Sequence, residues 1–152
     1  ATNTLVSNLI GQGESNNVLS LIKKVVIMSL ISTGIVLVFN LIFPMQMIEL
    51  YTEDLLIIKA ALPTLNVISA SMFFFAVAFI LFNGVSGTGN TKVSLIIELI
   101  TISIYLVIAY YIAITLKASL PIVWSSEFIY FGLLGLMSFA YLKWGNWGKV
   151  TI

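Results

Sequence analysis

Val25–Phe43, Ala60–Asn83, Val93–Leu116 and Ile122–Leu142 are continuous apolar runs of 19 to 24 residues, and together they hold only two charged side chains, Glu98 and Glu127. A helix rises about 1.5 Å per residue, so roughly 20 residues cross a hydrocarbon core of about 30 Å. Barrel strands would instead show short alternating segments of about ten residues. In lipid every backbone N–H and C=O must be satisfied within the protein, so the runs predict four transmembrane helices. The fold class is an all-α, multi-pass membrane protein.

Composition narrows the chemistry. The chain is 60% hydrophobic and 9% charged, far below the roughly one quarter charged of soluble domains. A net charge of +1 provides no basic stripe for a phosphate backbone, which argues against nucleic acid as a partner. There is no cysteine and no histidine, so thiolate chemistry and the commonest general base and metal ligand are absent. No carboxylate pair is spaced for hydrolysis, and nothing else indicates an enzyme. No cofactor is expected.

All seven cationic residues are lysines. Lys23, Lys24, Lys92, Lys143 and Lys149 fall on one side of a four-span arrangement, with Lys59 and Lys117 on the other. The positive-inside rule then places the first loop, the Asn83–Lys92 loop and the C-terminus in the cytoplasm of a cell-membrane protein. Trp124 near the outer boundary, and Trp144 and Trp147 past the inner one, suit interfacial aromatic belts.

Punctuation agrees with these limits. Pro44 closes the first span, Pro63 is expected in the first turn of the second, and Pro121 just precedes the fourth. Met45–Ile58 is mixed in polarity and either lies along the outer surface as an amphipathic segment or forms an exposed connection. Ala1–Ile10 has no initiator Met and no basic or cleavage motif of a signal peptide, and reads as the last turns of an earlier helix. Two turns share a pattern, Gly11-Gln12-Gly13 before Glu14-Ser15-Asn16, and Gly87-Thr88-Gly89 before Asn90-Thr91-Lys92. Glycines supply positive φ for a reversal and the following Ser, Asn or Thr can cap the next helix. A phosphate cradle is disfavoured, because neither a strand nor a Walker lysine accompanies them.

These turns carry a resemblance. Ser7-Asn8-Leu9-Ile10-Gly11-Gln12-Gly13 resembles a Gly-rich stretch of the multidrug and toxic compound extrusion (MATE) transporters. Phe82-Asn83-Gly84-Val85-Ser86-Gly87-Thr88-Gly89-Asn90-Thr91-Lys92 is similar to that family's "N..LRGxGDTK" turn, with Asn90 at the usual Asp and Ser86 at the common Arg. The resemblance implies the C-terminal part of such a transporter, residues 1–152 supplying the tail of helix 8 and helices 9 to 12. That is most of one six-helix lobe of a twelve-helix protein, with the missing N-terminal helices of the same transporter as its partners. It implies proton- or sodium-coupled antiport of small organic substrates. Some members carry an acid within helix 10, and Ala60–Asn83 has none. The alternatives are a lipid-linked saccharide flippase of the same superfamily and a non-transporting membrane scaffold.

Polar residues within the spans form stripes. Ser94, Glu98, Thr101 and Tyr105 share one helix face, as do Ser29, Thr33 and Asn40, and Glu127, Tyr130, Ser138 and Tyr141. An ionisable group at membrane depth is a functional candidate by default. Glu98 and Glu127 are therefore the cation- or proton-coupling candidates. Glu98 lies roughly 8 Å in from one boundary and Glu127 roughly 8 Å in from the other, which argues against direct coupling of the two carboxyls. Asn66, Ser69 and Tyr105 are candidates to line a substrate cavity, although Asn66, Ser69 and Ser71 also suit helix–helix hydrogen bonding. Asn40, Asn66, Tyr105 and Glu127 would form one cluster if their helices touch. Phe73-Phe74-Phe75, Phe79 and Phe82 either face lipid or line a cavity for a flat organic cation.

Overall fold

A computed structural model describes residues 1–147, all in helices and short connections. The elements are α1 (Thr2–Gly11), α2 (Val18–Ile42), α3 (Pro44–Glu49), α4 (Leu55–Gly87), α5 (Thr91–Tyr110), α6 (Leu120–Trp124) and α7 (Ser126–Trp144). A 3₁₀ turn, Ser15–Asn17, leads into α2, and a π turn, Tyr111–Thr115, prolongs α5. Four stretches are long and apolar enough to cross a membrane: Ser15–Ile42, Leu55–Gly87, Thr91–Thr115 and Leu120–Trp144. Each contains one of the expected spans almost entirely and extends past it, with Phe43 and Leu116 just outside.

The extensions correct several boundaries. Pro63 is the ninth residue of α4, not a first-turn residue, because the helix begins at Leu55 with Asp54 accepting from the Leu56 N–H at 2.8 Å. Its ring removes the N–H that would bond the Lys59 carbonyl, a cause of local bending inside a helix. Met45–Ile58 is no continuous surface segment: α3 occupies its start, Leu50–Asp54 turns, and the rest is the first turn of α4. The Asn83–Lys92 loop is also shorter than expected. α4 runs on through Gly87, and the reversal is confined to Thr88–Asn90. Gly13 and Gly89, the second glycine of each pattern, have φ of +78° and +79°, the conformation a reversal demands. Asn90 caps α5 by accepting from the Val93 N–H, whereas no side chain caps the 3₁₀ turn.

α4 is the centre of the packing, most extensively against α7 and then against α2 and α1. Its buried positions are chiefly small: Ser69, Ser71, Ala76, Ala78, Gly84 and Gly87. Without water to drive helices together, small residues let backbones approach and gain dispersion contacts. Gly84 is covered by Ile22 of α2 and Leu142 of α7, whose tips lie 2.7 and 3.3 Å from where a Cβ would stand. The core gathers around this end, with Val6, Val18, Ile22, Val85, Ile97, Leu134 and Leu142 in one cluster. Trp147 joins it, its indole N–H donating to the Leu142 carbonyl at 3.0 Å, so Trp147 is a core residue rather than an interfacial anchor. Elsewhere the apolar side chains face outward: Met28 is 68% exposed and Leu41 70%. Such a surface suits hydrocarbon, and the protein is a multi-pass membrane protein.

Candidate functional site

α5 and α7 are antiparallel neighbours, and each presents one glutamate and one tyrosine to the other. Tyr130 of α7 donates its hydroxyl to Glu98 Oε1 at 2.9 Å, and Tyr105 of α5 donates to Glu127 Oε1 at 3.1 Å. The two phenol rings lie between the carboxyls with centroids 5.5 Å apart. The glutamates therefore do not meet, in line with their different depths, yet one contiguous chain of four side chains joins them. Thr101, fully buried between the pairs on α5, returns its hydroxyl to the Ile97 and Glu98 carbonyls and leaves the stripe without a free donor. The Ser126 hydroxyl, next to Glu127, is likewise turned back, onto the Val123 carbonyl. All four members of the chain are half-buried.

This arrangement follows from local sequence. The seven-residue step from Glu98 to Tyr105 is two turns, which keeps both on one face of α5. The three-residue step from Glu127 to Tyr130 does the same on α7. Both cross-helix pairs are centred on the reversal between α5 and α6, so an antiparallel return brings them into register. Tyr130 was legible as part of a polar stripe but not as the partner of Glu98, and that symmetric placement was the available signal.

The remaining candidates separate. Asn40 of α2 donates to Ser69 of α4 at 3.3 Å, a helix–helix contact. Asn66 is exposed and makes no side-chain hydrogen bond among the described residues. The proposed four-residue cluster thus resolves into the Asn40–Ser69 pair, the Tyr105–Glu127 pair and a solitary Asn66. Thr64 and Ser138 each bury a hydroxyl with no hydrogen-bond partner among the described residues. No group of three or more acidic, histidine or cysteine side chains is placed to hold a metal among the described residues.

An aromatic ladder connects this site to an apolar groove. Tyr130 packs on Phe131 with centroids 5.2 Å apart, Phe131 on Phe75 at 5.3 Å, and Phe75 on Phe79 at 5.1 Å. Phe131 also lines an open groove of about 640 Å³ between α2, α4 and α7. Phe73 and Phe74 line it as well, whereas Phe75, Phe79 and Phe82 do not, and neither do Asn66, Ser69 or Tyr105. The groove carries no ionisable group.

Comparison with known proteins agrees with the turns. The MatE family model matches residues 1–111, which covers both Gly-x-Gly patterns, Glu98 and Tyr105, and stops before Glu127 and Tyr130. A probable multidrug resistance protein NorM from Thermotoga maritima is 32% identical over 102 residues, 67% of this chain. The match spans 22% of that relative's length. No solved structure matches the chain. With most of its length covered by the family model, the chain belongs to the MatE family.

Proposed function

We propose, on the premise of that membership, that this chain forms part of a secondary active exporter of small organic compounds, with Glu98 and Glu127 as its proton-coupling groups. The observation that carries the reading is the reciprocal pairing of Glu98 with Tyr130 and of Glu127 with Tyr105. A hydrogen bond to an ionised carboxylate is shorter and roughly twice as strong as one between neutral partners. Taking up a proton would therefore loosen α5 from α7 at that level, and releasing it would tighten them. An alternating-access carrier needs such a two-state contact between packed helices, biased by its coupling ion.

A proton suits these pairs better than sodium. Each offers one carboxyl and one phenol, and hard cations take about six or more oxygen ligands. The relative's description as a multidrug resistance protein favours organic compounds as cargo. Asn66, Ser69 and Tyr105 are the polar groups proposed to meet them. The chain would form most of one lobe of a twelve-helix transporter, with the two Gly-x-Gly turns and the end of α7 cytoplasmic, as the lysine distribution favours.

The test is transport of a fluorescent organic cation by the full-length protein in liposomes under an imposed pH gradient. Glu98→Gln keeps the shape of the side chain and removes its titration. Efflux should fall and lose its dependence on external pH, while Tyr130→Phe should keep transport with a displaced pH profile. Unaltered pH-driven efflux by Glu98→Gln would reduce Glu98 to a helix–helix hydrogen bonder, and transport driven by sodium alone would replace the coupling ion.

A further inference from the structure

The geometry points to a binding site for one anionic phospholipid, its acyl chain lying in the apolar groove between α2, α4 and α7 and its headgroup held by Lys23 and Lys143. The site is independent of what the protein carries. Leu30 forms one wall, Phe131, Gly132 and Phe139 the other, with Phe73 and Val77 as the floor. From Phe73 to Leu81 along α4 the groove runs about 12 Å. It closes where Ile22 and Leu142 converge over Gly84.

At that closed end each of the two converging residues is followed at once by a lysine. Lys23 lies seven residues before Leu30, on the same face of α2, and Lys143 lies four residues after Phe139, on the same stripe of α7. Both lysines are exposed. The Lys143 ammonium stands 5.7 Å from the Phe139 ring centroid and 5.1 Å from that of Trp144, so it is held over the groove's own wall. A basic rim on a purely apolar slot complements a molecule with an anionic head and a hydrocarbon tail. Basic pockets between transmembrane helices hold anionic headgroups in this way. The same arrangement opposes the flat organic cation considered for the Phe73–Phe75 run, because no carboxylate in the groove would balance its charge and the two ammonium groups at its closed end would repel it. Gly132 keeps the slot open, since a Cβ there would meet nothing within 4 Å.

The test uses the full-length protein in a non-ionic detergent, titrated with phosphatidylglycerol or phosphatidylcholine carrying brominated acyl chains, with tryptophan quenching as the readout. Trp144, whose ring lies 6.4 Å from that of Phe139, is the reporter at the headgroup end. Saturable quenching should occur at lower concentrations of phosphatidylglycerol than of phosphatidylcholine, by about fivefold for each lysine. Trp144→Phe should remove most of it. Lys23→Gln with Lys143→Gln should bring the two lipids level, and Gly132→Leu should abolish saturable quenching by both while the protein stays monodisperse. Equal response to the two lipids in the unaltered protein, a preference that survives loss of both lysines, or quenching indifferent to Trp144→Phe would each overturn the site. So would aggregation of the Gly132→Leu protein, which would mean that another part of the transporter already fills the groove.

Discussion

A Cβ on Gly87 would stand 2.7 Å from the Cβ of Val6 and 2.8 Å from the Asn3 carbonyl oxygen, so α1 and α4 cross there with backbones in contact. The Ser7 hydroxyl seals the crossing by donating to the Gly87 carbonyl at 2.9 Å. The two glycines of Gly87-Thr88-Gly89 therefore serve different ends, the first close packing and the second the reversal. Gly87→Ala should destabilise the protein by about 1–3 kcal/mol, the usual cost of overpacking, seen as a lower midpoint of thermal unfolding in detergent. Gly132→Ala, in open space within α7, should instead raise the midpoint slightly, because alanine is the better helix former by about 0.5–1 kcal/mol. At the other residue pair of interest, a double-mutant cycle on Tyr130→Phe and Glu98→Gln should return a coupling of about 0.6–2 kcal/mol, the range of hydrogen bonds between membrane helices. Additive effects would show that Tyr130 and Glu98 contribute separately.

Among the elements, α5 ends unlike its neighbours. Its last turn widens into Tyr111–Thr115, where Leu116 N–H reaches back to the Tyr111 carbonyl at 3.1 Å, and Lys117 then adopts φ +47°. A left-handed residue after a helix is usually glycine, because a Cβ there crowds the following carbonyl. Lys117→Gly should therefore raise stability by up to about 1 kcal/mol, read from the same thermal transition. A loss would mean that the lysine side chain contributes more than its backbone costs. α2 makes the opposite point. Of its 25 residues only Val18, Ile22 and Leu37 are buried, so its conformation owes little to packing. Internal backbone hydrogen bonding in a medium that offers no alternative partner is sufficient to hold it helical.

For the whole molecule, the orientation proposed from the lysines can be tested by labelling single cysteines in intact cells. Thr88 is fully buried, its hydroxyl donating to the Val85 carbonyl at 2.7 Å, so it would be silent whichever way the protein faced. Gln12, Lys92 and Asn146 are exposed at one end and Ser119 at the other. Cysteines at the first three should resist an impermeant thiol reagent and one at Ser119 should react. The reverse pattern would invert the topology. Lys149, one of the five lysines counted towards the cytoplasmic side, lies outside the described residues.

The number of membrane helices, their order and the site of each reversal were legible in the amino-acid order, because in lipid the length of an apolar run and its flanking Gly and Pro answer to the solvent rather than to distant residues. The turn patterns also carried the family. Helix ends were less legible: α4 begins before Ala60 and passes Asn83 because polar residues at its tips continue a helix as readily as they end one. Glu98 and Glu127 stood out by charge alone. That Tyr130 holds the first and Tyr105 the second, that Asn40 reaches Ser69 while Asn66 stands apart, and that Trp147 is buried were decided only by how the helices pack. A residue's stripe on a helix is a property of local sequence, but which stripe it meets depends on the rotation and register of a neighbour. Those are set by where small residues such as Gly84, Gly87 and Ala78 allow backbones to come close.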